Sequence, residues 1–377
     1  MKIVVAPDSF KGSLSAKQVA DALEKGIKKV DAAIEVVKVP MADGGEGTVQ
    51  SLVDAASGKL IPLKVMDPLM REIDSFYGIL GDGSTAVIEM AAASGLPLLK
   101  AEERNPWKTT TYGTGQLIKH ALDMGCRNII LGIGGSATND GGCGMAAALG
   151  VKFLDKAGNE ISLGGGSLSL IHYIDISELD KRIKECSIAA ACDVDNPLVG
   201  PKGASQVFGP QKGADKDMVL ALDKNLIHYG KVVKESLGVS ILDYPGSGAA
   251  GGLGGGLLAF LGADLKRGVD IVIEAVKLEE KIIGADLVIT GEGMIDYQTL
   301  HGKTPYGVAL AASKQGIPVI AVAGGIGENI ESLYDHGFTS IFSIVDKPMK
   351  LDDTIKCSER LLESTAERII RAIKISF

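Results

Sequence analysis

The sequence predicts an α/β protein: a doubly wound parallel-sheet domain whose chain is interrupted by a second, inserted domain. Three observations carry this expectation. Buried-strand runs alternate with helical periodicity near the start, the same grammar returns near the end, and the segment between them reads differently. The 377 residues also exceed what one ordinary core organises.

Residues 2 to 6, KIVVA, read as a buried strand. A helix follows: Ser15 and Gln18 fit a capping box, and Val19, Leu23, Ile27 and Val30 share one face. IEVVKV, 34 to 39, is a second strand, followed by PMADGGEG and a helix through Val49, Leu52 and Val53. Residues 60 to 90 read as short strands separated by the turn signals MDPL and GDGS. The run from 129 enters the loop GIGGSATNDGGCG, and AACDVDNP closes another strand near 192. DLVITGEGMID, IPVIAVAGGIG and FTSIFSIV restore the strand–loop pattern. A final amphipathic helix, 352 to 376, is expected to turn Ile355, Leu362, Ala366, Ile369 and Ile373 inward. The expected partition is 1–65 with 285–377 as the discontinuous domain, 66–284 as the second, and a cleft between them.

The composition is 46% hydrophobic and 23% charged, that of an ordinary globular chain. A net charge of -8 and one tryptophan argue against a nucleic-acid partner. Five cysteines with no CxxC spacing fit free thiols in a reducing cytoplasm, with Cys143 as a small buried filler. The opening apolar run is too short for a signal peptide, and the expected location is cytoplasmic. The uncharged stretch 244 to 263 holds eight glycines, each costing a helix about 1 kcal/mol, so it reads as a glycine-rich loop entering a short helix and not as a membrane span. The 49 glycines cluster in loops without a collagen period, which suits backbone brought close to a ligand at several points.

In an open parallel sheet, ligands bind beyond the carboxyl ends of the strands. Asp8, Asp43, Glu46, Glu292 and Asp296 all follow such ends, so one crevice could collect them. The competing reading is that each only caps a helix. Lys11, Lys303 and the glycine turns suit phosphate, because a lysine is a compact point charge and successive N–H groups form an anion-binding concavity. Phosphate facing carboxylates calls for a divalent cation, and Mg²⁺ takes one or two carboxylates plus phosphate oxygens.

Named motifs are weak. Gly302, Lys303 and Thr304 end a Walker A pattern, but Tyr297 stands where its first glycine belongs. GxGxx[GA] recurs by chance in so glycine-rich a chain. No HExxH or GxSxG occurs, and of five scattered histidines only His301 lies near candidate chemistry.

Longer segments are more specific. PDSFKGSLSA (7 to 16), PMADGGEGT (40 to 48), GIGGSATNDGG (132 to 142), ACDVDNPL (191 to 198) and GEGMIDYQTLHGKTPYGVA (291 to 309) resemble the type I glycerate kinase family, over nearly the whole chain. The resemblance implies a Rossmann-like domain plus a second α/β domain. It also implies ATP-dependent phosphorylation of D-glycerate to 2-phosphoglycerate, with 3-phosphoglycerate as the alternative product. Two departures stand out: Met294 replaces the family's usual arginine, and DPLMRE replaces DPLGR while retaining Arg71.

Phosphoryl transfer needs positioning and charge neutralisation more than covalent catalysis. On that footing Asp296 and then Asp193 are the candidate proton acceptors, and Lys11 and Lys303 steady the transferring group. Asp43 and Glu292 would hold Mg²⁺. Gly134, Gly135 and Ser136 would present N–H groups to phosphate, and Asn139 and Asp140 either orient substrate or cap the following helix. Asp8, Ser9, Arg71, Asn196, Gln298 and Thr299 complete the candidate substrate and phosphate contacts. For Ser247 to Gly252 a close-packed turn and a nucleotide contact are equally open. The expected partner is the small acid alone, with no nucleic acid or membrane; a homo-oligomer is left open. Two rivals are weaker. A nicotinamide-dependent oxidoreductase would want GxGxxG after the first strand, where PDSFKGS stands. A non-catalytic sugar-acid binder would be expected to carry an export signal.

Overall fold

A computed structural model describes residues 1–45 and 47–374. Glu46 and the last residues of the expected final helix lie outside that range. The chain packs as two compact units: Met1–Asp43, Gln50–Ser57 and Val269 onward form one, and Gly44–Val49 with Gly58–Gly268 form the other.

The first unit is built on a five-stranded, all-parallel sheet in the order Ser340–Ser343, Val319–Ile326, Leu287–Ile295, Lys2–Val5, Glu35–Lys38. The chain's first strand thus lies between two neighbours, pairing Ile3 with Leu287 on one side and with Val36 on the other. Side chains alternate across the sheet. Ile3, Val5, Leu287, Ile289 and Val322 share a buried cluster with Val19, Leu23 and Ile27 of helix Ala16–Val30 and with Leu361, Leu362 and Ile369 of helix Leu351–Ile373. Val4 and Val288, also buried, alternate to the other face, and helix Thr304–Ser313 packs on the strand Leu287–Ile295. The expected capping box is present: Ser15 Oγ accepts from Gln18 N, and Gln18 Oε1 accepts from Ser15 N. The final helix departs from expectation at its two ends, where Ile355 and Ile373 are exposed; its inward stripe is carried by Leu361, Leu362, Ala366, Ile369 and Ile370.

The second unit holds a mixed six-stranded sheet. Asp264–Lys266, Ser187–Ala191, Asn128–Gly132 and Thr85–Glu89 run parallel, and Glu72–Ile79 and Lys59–Met66 add antiparallel edges. The unit boundaries fall elsewhere than expected. Lys59–Met66 pairs along its whole length with Glu72–Ile79, so it belongs to this sheet, and residues 269 to 284 pack with the first unit. Periodicity marks a strand but not which sheet it joins. Pairing partners 6 to 20 residues away decided that here.

The glycine-rich run resolves as close packing. Ala250, Gly251 and Gly252 have left-handed backbone, which breaks the helical stretch Ala249–Gly256. Gly251 lies so near the loop that precedes helix Cys143–Ala148 that an added Cβ would stand 1.9 Å from the Thr138 carbonyl oxygen. Cys143 is buried, as expected of a filler, and burial pushes its thiol well up. Among the described residues no helix is long and apolar enough to cross a membrane.

Candidate active site

In the first unit, backbone pairing continues past the carboxyl ends of the central strands. Ala6 N donates to Ile289 O and Asp8 N to Gly291 O, each at 2.8 Å. Val39 N and Met41 N donate to Val5 O and Pro7 O. These ladders carry Asp8, Asp43 and Glu292 out along neighbouring strands to one end of the sheet. There, a cavity of about 390 Å³ is lined by Asp8, Ser9, Lys11, Asp43, Glu292, Gly293, Met294 and Lys303.

Its two enclosed carboxylates are oriented by neighbours. Asp8 Oδ1 accepts from Ser9 N at 2.6 Å, and Oδ2 accepts from the Thr304 hydroxyl at 2.6 Å. Glu292 Oε1 accepts from the Thr299 hydroxyl at 2.9 Å, and Lys303 Nζ stands 3.4 Å from Oε2. Burial dominates both acidities, raising Asp8 to about 6 and Glu292 to about 7 against the pull of those donors. Lys11 Nζ lies 3.3 Å from Asp43 Oδ2, and that carboxylate holds the ammonium above the usual lysine range. The arrangement is a pocket of three carboxylates with two cations at its rim.

Asp296 does not line this cavity. Its Oδ1 accepts from Gln298 N at 2.8 Å, capping the short turn Tyr297–Leu300, and lies 3.8 Å from Lys303 Nζ. Gln298 is exposed beside Tyr297, whereas Thr299 is buried and donates to Glu292. Thr304, which the sequence marked only as the end of a failed motif, is the residue that anchors Asp8.

In the second unit the loop after strand Asn128–Gly132 carries Gly134 and Gly135, both exposed. With Gly44, Phe76, Glu89 and Pro97 they help line a separate cavity of about 390 Å³. Gly135 has φ 72°, a left-handed value that glycine takes without strain. Ser136 is buried, and its Oγ accepts from Lys212 Nζ at 2.7 Å. Asp140 is a structural hub: its carboxylate accepts from Thr110 Oγ1, Thr111 N and Oγ1, Gly142 N and Gly144 N. Its bonds to Gly142 N and Gly144 N hold the start of the Cys143–Ala148 helix, whose N-cap is Gly142. Asn139 donates to Ser205 Oγ at 3.0 Å. Asp193 Oδ1 accepts from Gly268 N at 3.0 Å, and Asn196 Nδ2 donates to Lys202 O at 2.7 Å. Arg71 is engaged by carboxylates of its own unit, Asp67 at 2.6 Å and Glu103 at 2.7 Å, and lines neither cavity.

The first unit therefore brings together Asp8, Ser9, Lys11, Asp43, Glu292 and Lys303, and the second assembles Gly134, Gly135 and Ser136. Sequence reading missed Lys212. It sits in the unmarked turn PQKG, and only burial distinguishes it from the other lysines.

Comparison with known proteins identifies the family. A model of the glycerate kinase family matches residues 3–374. The chain is 54% identical over 376 residues to a glycerate kinase of Bacillus subtilis, covering 100% of this chain and 98% of the relative. It is 54% identical over 356 residues to the glycerate 2-kinase of Escherichia coli, covering 94% and 93%. The fold matches a crystal structure assigned as a glycerate kinase 2 from Salmonella typhimurium LT2. That match has a TM-score of 0.92 and 49% identity, and it covers 99% of this chain and 98% of that one. On the strength of these matches, which run from end to end, the chain is a member of the glycerate kinase family.

Proposed function

We propose that this phosphotransferase moves the γ-phosphate of ATP to the C2 hydroxyl of D-glycerate, giving 2-phosphoglycerate. The observation that carries the reading is the first unit's cavity, where two enclosed carboxylates face two lysines. The identity to a relative named glycerate 2-kinase supports the choice of hydroxyl.

The attacking hydroxyl must lose a proton as it meets the γ-phosphorus. Asp8 lines the cavity and is pinned by Ser9 and Thr304, whereas Asp296 is occupied in capping a turn. The reading therefore gives the proton to Asp8 and makes Asp296 a partner that steadies Lys303. Lys11 and Lys303 meet the negative charge that grows on the transferring oxygens. The glycine loop Gly134–Ser136 supplies N–H groups to phosphate.

The donor set fits Mg²⁺. The cavity offers hard oxygen donors in Asp8, Ser9, Asp43 and Glu292, and burial has left Asp8 and Glu292 with acidities a nearby cation would restore. Among the described residues no group of three or more His, Cys, Asp or Glu could hold a metal alone. That matches an ion which takes one or two carboxylates and completes its shell with water and phosphate. Asp43 and Glu292 would hold it, and when bound it neutralises phosphate charge and orients the triphosphate.

The test is to incubate the protein with MgATP and D-glycerate and record proton-coupled phosphorus NMR. A 2-phosphate sits on a carbon bearing one proton and gives a doublet; a 3-phosphate sits on CH₂ and gives a triplet. The doublet is expected, and a triplet would assign the other hydroxyl.

A further inference from the structure

Lys212 is the only buried lysine among the described residues, with 1% of its surface exposed. An ammonium so enclosed is costly unless its donors are used. Two are: Nζ donates to Ser136 Oγ and to Thr138 O, each at 2.7 Å. Both acceptors belong to the loop that presents Gly134 and Gly135 at the surface.

This bonding has consequences for the loop. A hydroxyl oxygen that accepts from an ammonium keeps its own hydrogen free to donate, so Ser136 is set as a donor. The N–H groups of Gly134, Gly135 and Ser136 meet no protein acceptor among the described residues. Just beyond, the buried Thr138 hydroxyl has no hydrogen-bond partner and is a further donor; the equally unpartnered Asn139 Oδ1 is an acceptor and does not belong to the strip. A fixed strip of donors backed by a buried cation is a site for an anion. Asp140 is the charged group that acts on Lys212; burial outweighs it and brings the ammonium down to about 7.

We propose that Lys212 is the positioning residue of phosphate binding, holding the strip Gly134–Ser136 from behind with its donors turned toward the phosphates of ATP. The inference rests on the reading above that this loop takes phosphate. An arriving polyanion favours the charged form of the lysine, so binding draws a proton onto it near neutral pH.

The test uses the full-length protein, the magnesium complex of a non-hydrolysable ATP analogue, and calorimetry at pH 7.5 in two buffers of different ionisation enthalpy. Wild type takes up a fraction of a proton on binding the analogue. Relative to wild type, Lys212→Met lowers the number of protons taken up, leaving only what Glu292 releases beside the ion, and raises the analogue's Kd about ten-fold or more, as loss of charge-assisted bonds implies, while the Kd for D-glycerate stays within about two-fold. Ser136→Ala spares the bond to Thr138 O and covers the case in which the methionine variant fails to fold. It raises the analogue's Kd about five-fold, the size of one lost hydrogen bond, and retains proton uptake. An unchanged analogue Kd in a folded variant overturns the role of Lys212 alone. Weakened D-glycerate binding with unchanged analogue binding overturns the phosphate reading of the loop, and this inference with it.

Discussion

Asp8 and Glu292 resist ionisation because burial has removed the water that would stabilise their charges. Both acidities are raised in the folded state, so folding binds protons that the unfolded chain releases. Without divalent cation, stability contributed by these groups is therefore present near pH 4 and lost as pH rises through about 6 and 7. Each costs the folded state about 3 kcal/mol at pH 8. In EDTA, wild-type Tm should fall between pH 5 and 8, and Asp8→Asn or Glu292→Gln should flatten the fall; equal slopes in all three would show that burial does not govern their acidity. Added Mg²⁺ at pH 8 should raise Tm more in wild type than in Glu292→Gln, and equal gains would remove Glu292 from the ion's ligands. For catalysis, Asp8→Asn should lower kcat about 10² to 10⁴-fold, the usual worth of a general base. Asp296→Asn keeps a side-chain acceptor for Gln298 N and should lose far less; the reverse ranking would return the proton to Asp296.

At the scale of elements, the site depends on strands that outrun their neighbours. The first strand ends at Val5, yet its backbone stays bonded to residues 289 to 291, which is how Asp8 reaches Glu292. The scaffold beneath is the pair of helices Ala16–Val30 and Leu351–Ile373, which meet closely at Gly26. A Cβ there would stand 2.1 Å from the Glu363 carbonyl oxygen and 2.8 Å from Ala366 Cβ. Gly26→Ala should therefore separate the helices and cost about 1 to 3 kcal/mol or more by overpacking, despite alanine's better helix propensity. Ser15→Ala, which removes half of the capping box, should cost about 1 kcal/mol. Thermal melts of both variants, made together, check the order: if Ser15→Ala were the worse, the close approach at Gly26 would not be the constraint it looks.

At the scale of the whole molecule, the first unit is discontinuous. Three of its five strands come from the last third of the chain, and the N-terminal strand lies between one of them and Glu35–Lys38. Ending the chain at residue 268 should leave residues 1 to 43 without a sheet, while the second unit keeps its own core. Limited proteolysis with mass spectrometry should then clip residues 1 to 43 rapidly and spare the segment from 58 on. Slow cleavage of the N-terminal segment would mean that the returning strands are dispensable to it.

The sequence by itself determined the α/β class, the return of the chain to its first sheet, the capping box and the long motifs that mark the family. Those are local or collinear signals: periodicity of 2 or 3.6, a spacing of three residues, runs of turn formers. It also singled out the acidic residues at strand ends, because side chains beyond a parallel strand's carboxyl end have one place to go. Only the tertiary structure decided which of them lie together. Asp8 and Glu292, 284 residues apart, share a cavity because two strands are paired in register, whereas Asp296, four residues from Glu292, is spent on a cap. Lys212 shows the limit most plainly. Its role follows from enclosure, and enclosure is a property of everything packed around a residue, which no short window of sequence contains.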